Sequence, residues 1–234
     1  MKLQGATVFV TGANRGLGLA FARYALAHGA RKVYAAARDP ASIALDGVVP
    51  IALDITNASQ VAAAAADCGD VSLVVNNAGI ASIKGLLDED SIDATQRMME
   101  TNAYGLLRVS RAFAPVLKAN GGGALLNVLS VSSWLSAPVL AGYAVSKAAA
   151  WSVTNGLRNE LREQGTQVLG LHVGFIDTDL TRGFDAPKLA PEFVVARAFE
   201  ALAQGDSEVA IDEFTQQIKR GLSNEPGIYI DGAR

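Results

Sequence analysis

Ala6-Thr7-Val8-Phe9-Val10-Thr11-Gly12-Ala13-Asn14-Arg15-Gly16-Leu17-Gly18 is the stretch that decides the fold. It opens as a short apolar strand, turns on its glycines, and continues as a helix. Leu17, Leu19, Ala20, Phe21 and Tyr24 recur at helical spacing up to a stop at His28-Gly29. A helix that starts directly after a glycine turn offers free backbone amides and the positive end of its macrodipole to an anion. Glycine lets such a turn close and lets the backbone approach a pyrophosphate. Gly12, Asn14, Arg15, Gly16, Leu17 and Gly18 are therefore candidate cofactor-binding residues. The spacing is T-G-x-x-x-G-x-G rather than the commoner G-x-G-x-x-G, so its place between strand and helix carries the reading. A tight strand–helix turn without a ligand is the alternative.

Composition narrows the function classes. The 234 residues suit one domain with a substantial core. A net charge of −3 gives no electrostatic reason to bind nucleic acid or an anionic membrane. No apolar run reaches membrane-spanning length, and the N-terminus enters a strand without a signal peptide, so a cytoplasmic location is expected. Cys68 is the one cysteine; it reads as a small core residue, and no metal-ligand spacing accompanies it. His28 and His172 have no partner pattern and read as structural.

Further strands follow in order. Lys32–Ala37 ends at Arg38-Asp39-Pro40. In a dinucleotide fold an acid at this strand end holds a ribose 2′-hydroxyl, whereas arginine accommodates a 2′-phosphate. Ala37 occupies the acid's place; with Arg38 next and Arg15 in the glycine turn, NADP(H) is expected over NAD(H), with Asp39 opposing that preference. A third strand, 48–53, leads into Asp54-Ile55-Thr56, where Asp54 can accept from an adenine amino group or cap the helix over 57–67. A fourth strand, 71–75, ends at Asn76-Asn77-Ala78-Gly79. Further on, Tyr143 and Lys147 stand four apart on one helix face. A cation beside a phenol favours the phenolate, which would make Tyr143 an acid–base group with Lys147 as its neighbour.

Thr11 to Gly18, Asp54, Asn76-Asn77-Ala78-Gly79 and Tyr143-x-x-x-Lys147 together resemble the short-chain dehydrogenases/reductases, in order and spacing, from about residue 5 to the C-terminus. The resemblance implies one α/β domain over 1–234: a Rossmann-like, doubly wound parallel sheet of about seven strands with helices on both faces. It implies that Asn77, Ala78 and Gly79 support the sheet and contact the adenosine ribose. It makes Asn102, at the start of a helix expected to open near Thr101 and reach Lys118, the holder of a proton-relay water; by residue pattern alone Asn102 reads as a helix cap. The catalytic serine of the family, thirteen residues before the tyrosine, falls on Ser130, with Ser132 and Ser133 as near alternatives.

Three departures from the family pattern stand out. Leu129 replaces the first serine of N-x-S-S, and Val173 replaces the proline of P-G-x-x-x-T, which lowers the rigidity expected of the turn carrying Ile176 and Thr178. Residues 207–223 depart from the usual ending, with Phe214, Ile218 and Leu222 at four-residue spacing, before a last strand expected at 228–232.

The expected activity is reversible NADPH-dependent reduction of a ketone or aldehyde. Ser130 would polarise the carbonyl, Tyr143 would donate the proton, and Lys147 would lower the tyrosine's pKa and hold the nicotinamide ribose. Ser132, Trp134, Leu135 and Phe184, the last on a short lid over about 179–191, are expected to line an apolar substrate pocket, which points to a carbonyl reductase. Alternatives are a 3-oxoacyl-carrier-protein reductase, which would need a basic patch from Arg97, Arg108 and Arg111, and a non-catalytic NADP-sensing regulator. The resemblance also implies a homodimer or homotetramer built on the helices beginning near Asn102 and Tyr143.

Overall fold

The computed structural model describes residues 1–231. β1 (Thr7–Thr11), α1 (Gly16–Ala27), β2 (Lys32–Ala37), β3 (Val49–Ala52), α2 (Ala58–Asp67) and β4 (Leu73–Asn76) form the first half. α3 (Ser91–Met98), α4 (Leu106–Ala119), β5 (Ala124–Val128), α5 (Ala141–Glu160), β6 (Gln167–His172), α6 (Pro191–Gln204), β7 (Glu208–Ala210), α7 (Glu213–Gly221) and α8 (Ile228–Asp231) complete it. All seven strands are parallel, in the order β3-β2-β1-β4-β5-β6-β7. Strand order reverses between β1 and β4, and a ligand crevice belongs beyond the strand ends at that point.

β1 shows why a strand at the centre reads as an unbroken apolar run. Both of its faces are covered, and Val8, Phe9 and Val10 are fully buried. Val8 and Val10 pack with Phe21 of α1 and Val194 and Ala198 of α6 on one face. Phe9 points the other way, its ring 4.6 Å from that of Phe113 in α4, among residues of α2 and α5.

Two expectations are corrected here. Residues 228–230 are helical, not a seventh strand, and Gly232 lies outside the described residues. The alternation of Ile228-Tyr229-Ile230 does not track burial, because Tyr229 and Ile230 are both exposed. The seventh strand is Glu208–Ala210, within the atypical segment, and the helix expected there follows as α7. Nor does a new helix open at Thr101: α3 runs into α4 through a π-helical stretch, Met99–Gly105, so Asn102 lies mid-helix and is not a cap. Close approach explains Gly105 in that stretch, since a Cβ there would lie 2.6 Å from Ile55 Cδ1.

Candidate active site

The glycine turn is built around close contacts. Gly12 and Gly16 have positive φ (65° and 53°), which a side chain would strain. A Cβ on Gly18 would lie 2.1 Å from the Gly12 carbonyl oxygen, so α1 can start this near the turn only as glycine. Arg15 at the head of α1 makes no side-chain cap, which leaves the first-turn amides available to an anion. The end of β4 is fastened to this turn. Asn77 Nδ2 donates to the carbonyls of Thr11 (2.9 Å) and Gly12 (3.2 Å), and Thr11 Oγ1 accepts from the amides of Asn77 and Ala78 (both 3.0 Å).

Beyond the strand ends lies a cleft of about 1050 Å³. Its wall brings together Gly12, Asn14, Arg15, Gly16 and Leu17 from the glycine turn with Arg38 from the end of β2. Asp54 and Ile55 after β3, and Asn77, Ala78 and Gly79 after β4, continue it. Ser130, Tyr143 and Lys147 stand on the same wall with Ile176 and Thr178. Gly18 lies behind the turn, where its lack of a side chain is what counts.

Burial governs the titratable groups Tyr143 and Lys147 on this wall. Tyr143 is pushed up to about 12 by burial, and the hydrogen bond with the Ser130 hydroxyl lowers it only in part. Lys147 Nζ donates to the Val128 carbonyl oxygen (2.8 Å) and sits 5.7 Å from the centre of the Tyr143 ring. Burial brings Lys147 down to about 8. In the protein alone the lysine therefore does not offset the desolvation of the phenol, contrary to what four-residue spacing suggests. The consequence is a protonated Tyr143 at neutral pH.

Asn102 is buried and does not reach the cleft wall. Its Oδ1 accepts from the Ile80 amide (2.8 Å), while Nδ2 donates to the Ile80 carbonyl and to Ser146 Oγ (2.9 Å each). Its side chain is thus committed to holding the chain after Gly79 against α5. Asp54 accepts from the Thr56 amide and hydroxyl, which draw its carboxyl below the usual range, and the cap of α2 is Asn57.

The residues expected to line a substrate pocket, Ser132, Trp134, Leu135 and Phe184, do not stand on the wall of this cleft. Trp134 is turned inward, stacked on His172, and Phe184 packs on Phe175. Trp134 is buried, while Leu135 and Phe184 remain half-buried. Residues that do line the cleft, and that the sequence did not single out, include Ile80, Ala81, Leu180 and Thr181; Arg97, named for a basic patch, stands there too. Thr181 forms a capping box with Thr178 and also hydrogen-bonds the Ile176 carbonyl, a T-x-x-T spacing that was visible in the sequence. Arg15, expected beside Arg38, instead faces Asp179 on the lid (3.5 Å), which also pairs with Arg182.

The glycine cradle, the free helix amides and the open cleft suit a dinucleotide. No helix among the described residues is long and apolar enough to cross a membrane. Residues 6–188 match the family model described as short chain dehydrogenase. Galactitol 2-dehydrogenase (L-tagatose-forming) from Cereibacter sphaeroides is 38% identical over 192 residues, 77% of this chain and 75% of that protein. A short chain dehydrogenase from Burkholderia cenocepacia J2315, solved in complex with NADP, superposes with a TM-score of 0.93 at 39% identity, covering 97% of this chain and 96% of that one. A short chain dehydrogenase/reductase from Burkholderia phymatum in complex with NAD superposes with a TM-score of 0.84 at 26% identity, covering 94% of each chain. The match begins at β1 and runs through the whole cleft wall, and the chain accordingly belongs to the short-chain dehydrogenases/reductases, oxidoreductases of alcohol and carbonyl groups.

Proposed function

We propose that this chain interconverts a ketone or aldehyde and its alcohol with NADP(H), on the residues Ser130, Tyr143 and Lys147. The observation that carries the reading is the position of these three groups on the wall that also holds the glycine turn, so that one cleft serves nucleotide and reaction. The nicotinamide supplies the hydride when bound; the protein supplies orientation and electrostatics. Ser130 Oγ orients the carbonyl oxygen. Tyr143 holds a proton on its hydroxyl, and burial keeps it there until an alkoxide develops within reach. Lys147 would bind the nicotinamide ribose. The Asn102 side chain is committed to Ile80 and Ser146, so a relay water held there would need a partner other than that amide.

Preference for NADP(H) rests on Arg38. It is exposed on the cleft wall beside Ala37, and the neighbouring Asp39 is occupied in capping Ala41 N (3.0 Å). Arg15 would join it only by leaving Asp179.

For the substrate, Ile80 and Leu180 support an apolar ketone or aldehyde, while Arg97 and Thr181 on the same wall, with the galactitol dehydrogenase relative, favour a polyol. Arg108 is committed to the Ile55 carbonyl and Glu100, which weakens the case for an acidic carrier protein as substrate. A cytoplasmic homo-oligomer, paired through the exposed Tyr104 and Leu107 of the π stretch and α4 and Val145 of α5, completes the proposal. The test is turnover of both nicotinamide nucleotides against aliphatic ketones, aromatic aldehydes and polyols. NADP-linked turnover of one class supports the reading; tight NADPH binding with no turnover of any class contradicts it in favour of a nucleotide sensor.

A further inference from the structure

The end of β6 carries a fully buried imidazole for which the chemistry above has no use. His172 Nδ1 lies 3.1 Å from the carbonyl oxygen of Ser130. A carbonyl only accepts, so Nδ1 carries the proton. One face of the ring is covered by the Trp134 indole, with centroids 3.9 Å apart and planes 16° from parallel. Ser130 opens the 3₁₀ turn Val131–Ser133 and Trp134 closes it. A single imidazole thus holds both ends of the turn that presents Ser130.

The far edge of the ring is closed in by Glu208. His172 Nε2 finds no hydrogen-bond partner and lies 3.5 Å from Glu208 Oε1. Glu208 accepts from Trp151 Nε1 (2.8 Å) and Lys219 Nζ (2.6 Å). Close by, Asp212 accepts from the Gly174 amide (2.8 Å), next to Val173. Glu208, Asp212 and Lys219 all come from the segment 207–223, whose sequence departs from the family pattern, and they act where the turn lacks its proline.

We propose that His172 is a positioning residue for Ser130: stacked on Trp134 and closed in by Glu208, its imidazole fixes the Ser130 carbonyl and the turn after it, so that Ser130 Oγ meets the substrate oxygen. The proposal rests on the reading of Ser130 as the group that orients the carbonyl. A displacement of about 1 Å at such a group can cost roughly 100-fold in rate, so a buried support with two points of contact is worth its desolvation.

The test compares the parent enzyme with His172→Leu, His172→Asn, Ser130→Ala and the Ser130→Ala/His172→Leu double variant, in kcat, KM and NADPH affinity. His172→Leu should lower kcat roughly 10- to 100-fold with NADPH affinity unchanged. His172→Asn, whose amide can donate to the same carbonyl, should recover most of it. In the Ser130→Ala background the His172→Leu change should cost nothing more, because the two act as one unit. Amide exchange at Ser133, which donates to the Ser130 carbonyl at 3.0 Å, should quicken in His172→Leu and not in His172→Asn. Unchanged kcat in His172→Leu, or the same loss in both backgrounds, overturns the proposal while leaving Ser130 in place. Ser130→Ala turning over at the parent rate overturns the reading of Ser130 and this proposal with it. If His172→Leu does not fold, Glu208→Gln carries the test: its loss of kcat must likewise vanish in the Ser130→Ala background.

Discussion

Replacing Lys147 by Met turns the electrostatics of the site into a measurable stability. The Lys147 side chain is buried, and its described hydrogen bond is to the Val128 carbonyl, an uncharged partner. Burial lowers its pKa from 10.5 to about 8. Between those values the unfolded chain holds a proton that the folded chain has released, so stability rises with pH across that window. Below the folded value the penalty is present in full. At ~1.36 kcal/mol per pH unit, the gap amounts to about 3 kcal/mol at neutral pH, of which about 2 kcal/mol is regained by about pH 9.5. Lys147→Met keeps the volume and removes the titration. Urea unfolding of the cofactor-free parent and variant at about pH 7 and about pH 9.5 reads the difference. The lost bond to Val128 is common to both conditions, and every other titrating group is shared by both proteins. Lys147→Met should gain in relative stability at the lower pH, and that gain should shrink by about 2 kcal/mol at the higher one. A difference that does not change with pH would mean a solvated ammonium, and the geometry proposed for the tyrosine helix would fail with it.

Other outcomes follow from single contacts. Arg38→Asp should raise KM for NADPH by about 10-fold or more, and leave KM for NADH nearly unchanged, because only the 2′-phosphate loses a charge-assisted partner; equal losses with both nucleotides would remove Arg38 from the phosphate site. Gly18→Ala should cost about 2 kcal/mol or more in thermal or urea unfolding and weaken NADPH binding, since the added Cβ would sit 2.1 Å from the Gly12 carbonyl and 2.5 Å from Asn77 Nδ2; parent-like affinity would show that the turn has room. Alcohol oxidation, which needs the phenolate of Tyr143, should climb with pH beyond neutrality, whereas ketone reduction, which needs the phenol, should hold level until the hydroxyl begins to titrate. A reduction rate that falls from neutral pH upward would mean that the phenol titrates far below about 12.

The parts of this site that were legible in the sequence are those fixed by local rules. Strand, glycine turn and helix at residues 6–27 follow from spacing and from the demands of positive φ, and the structure holds them where the spacing puts them. Tyr143 and Lys147 needed only a helix face, whereas Ser130 was set apart from Ser132 and Ser133 by the family resemblance. What could not be read depended on which way a side chain turns. Trp134 and Leu135 look like pocket lining because they lie between Ser130 and Tyr143, yet the indole finds a buried imidazole and leaves the cleft to Ile80 and Leu180. His172 has no sequence partner because its partners, the Ser130 backbone and Glu208, are 42 and 36 residues away. Glu208–Ala210 is too short and too polar for a strand pattern and exists by pairing with β6, while Ile228–Ile230 has the pattern without a neighbouring strand to join.

The most direct test of the proposed chemistry is NADPH-dependent carbonyl turnover by Tyr143→Phe, measured beside its affinity for NADPH. Loss of the hydroxyl should lower turnover by roughly 100- to 10,000-fold, the usual worth of a positioned proton donor, with affinity within a few-fold of the parent. Turnover within a few-fold of the parent would contradict the assignment of the proton to Tyr143 and, with it, the chemistry proposed for the cleft.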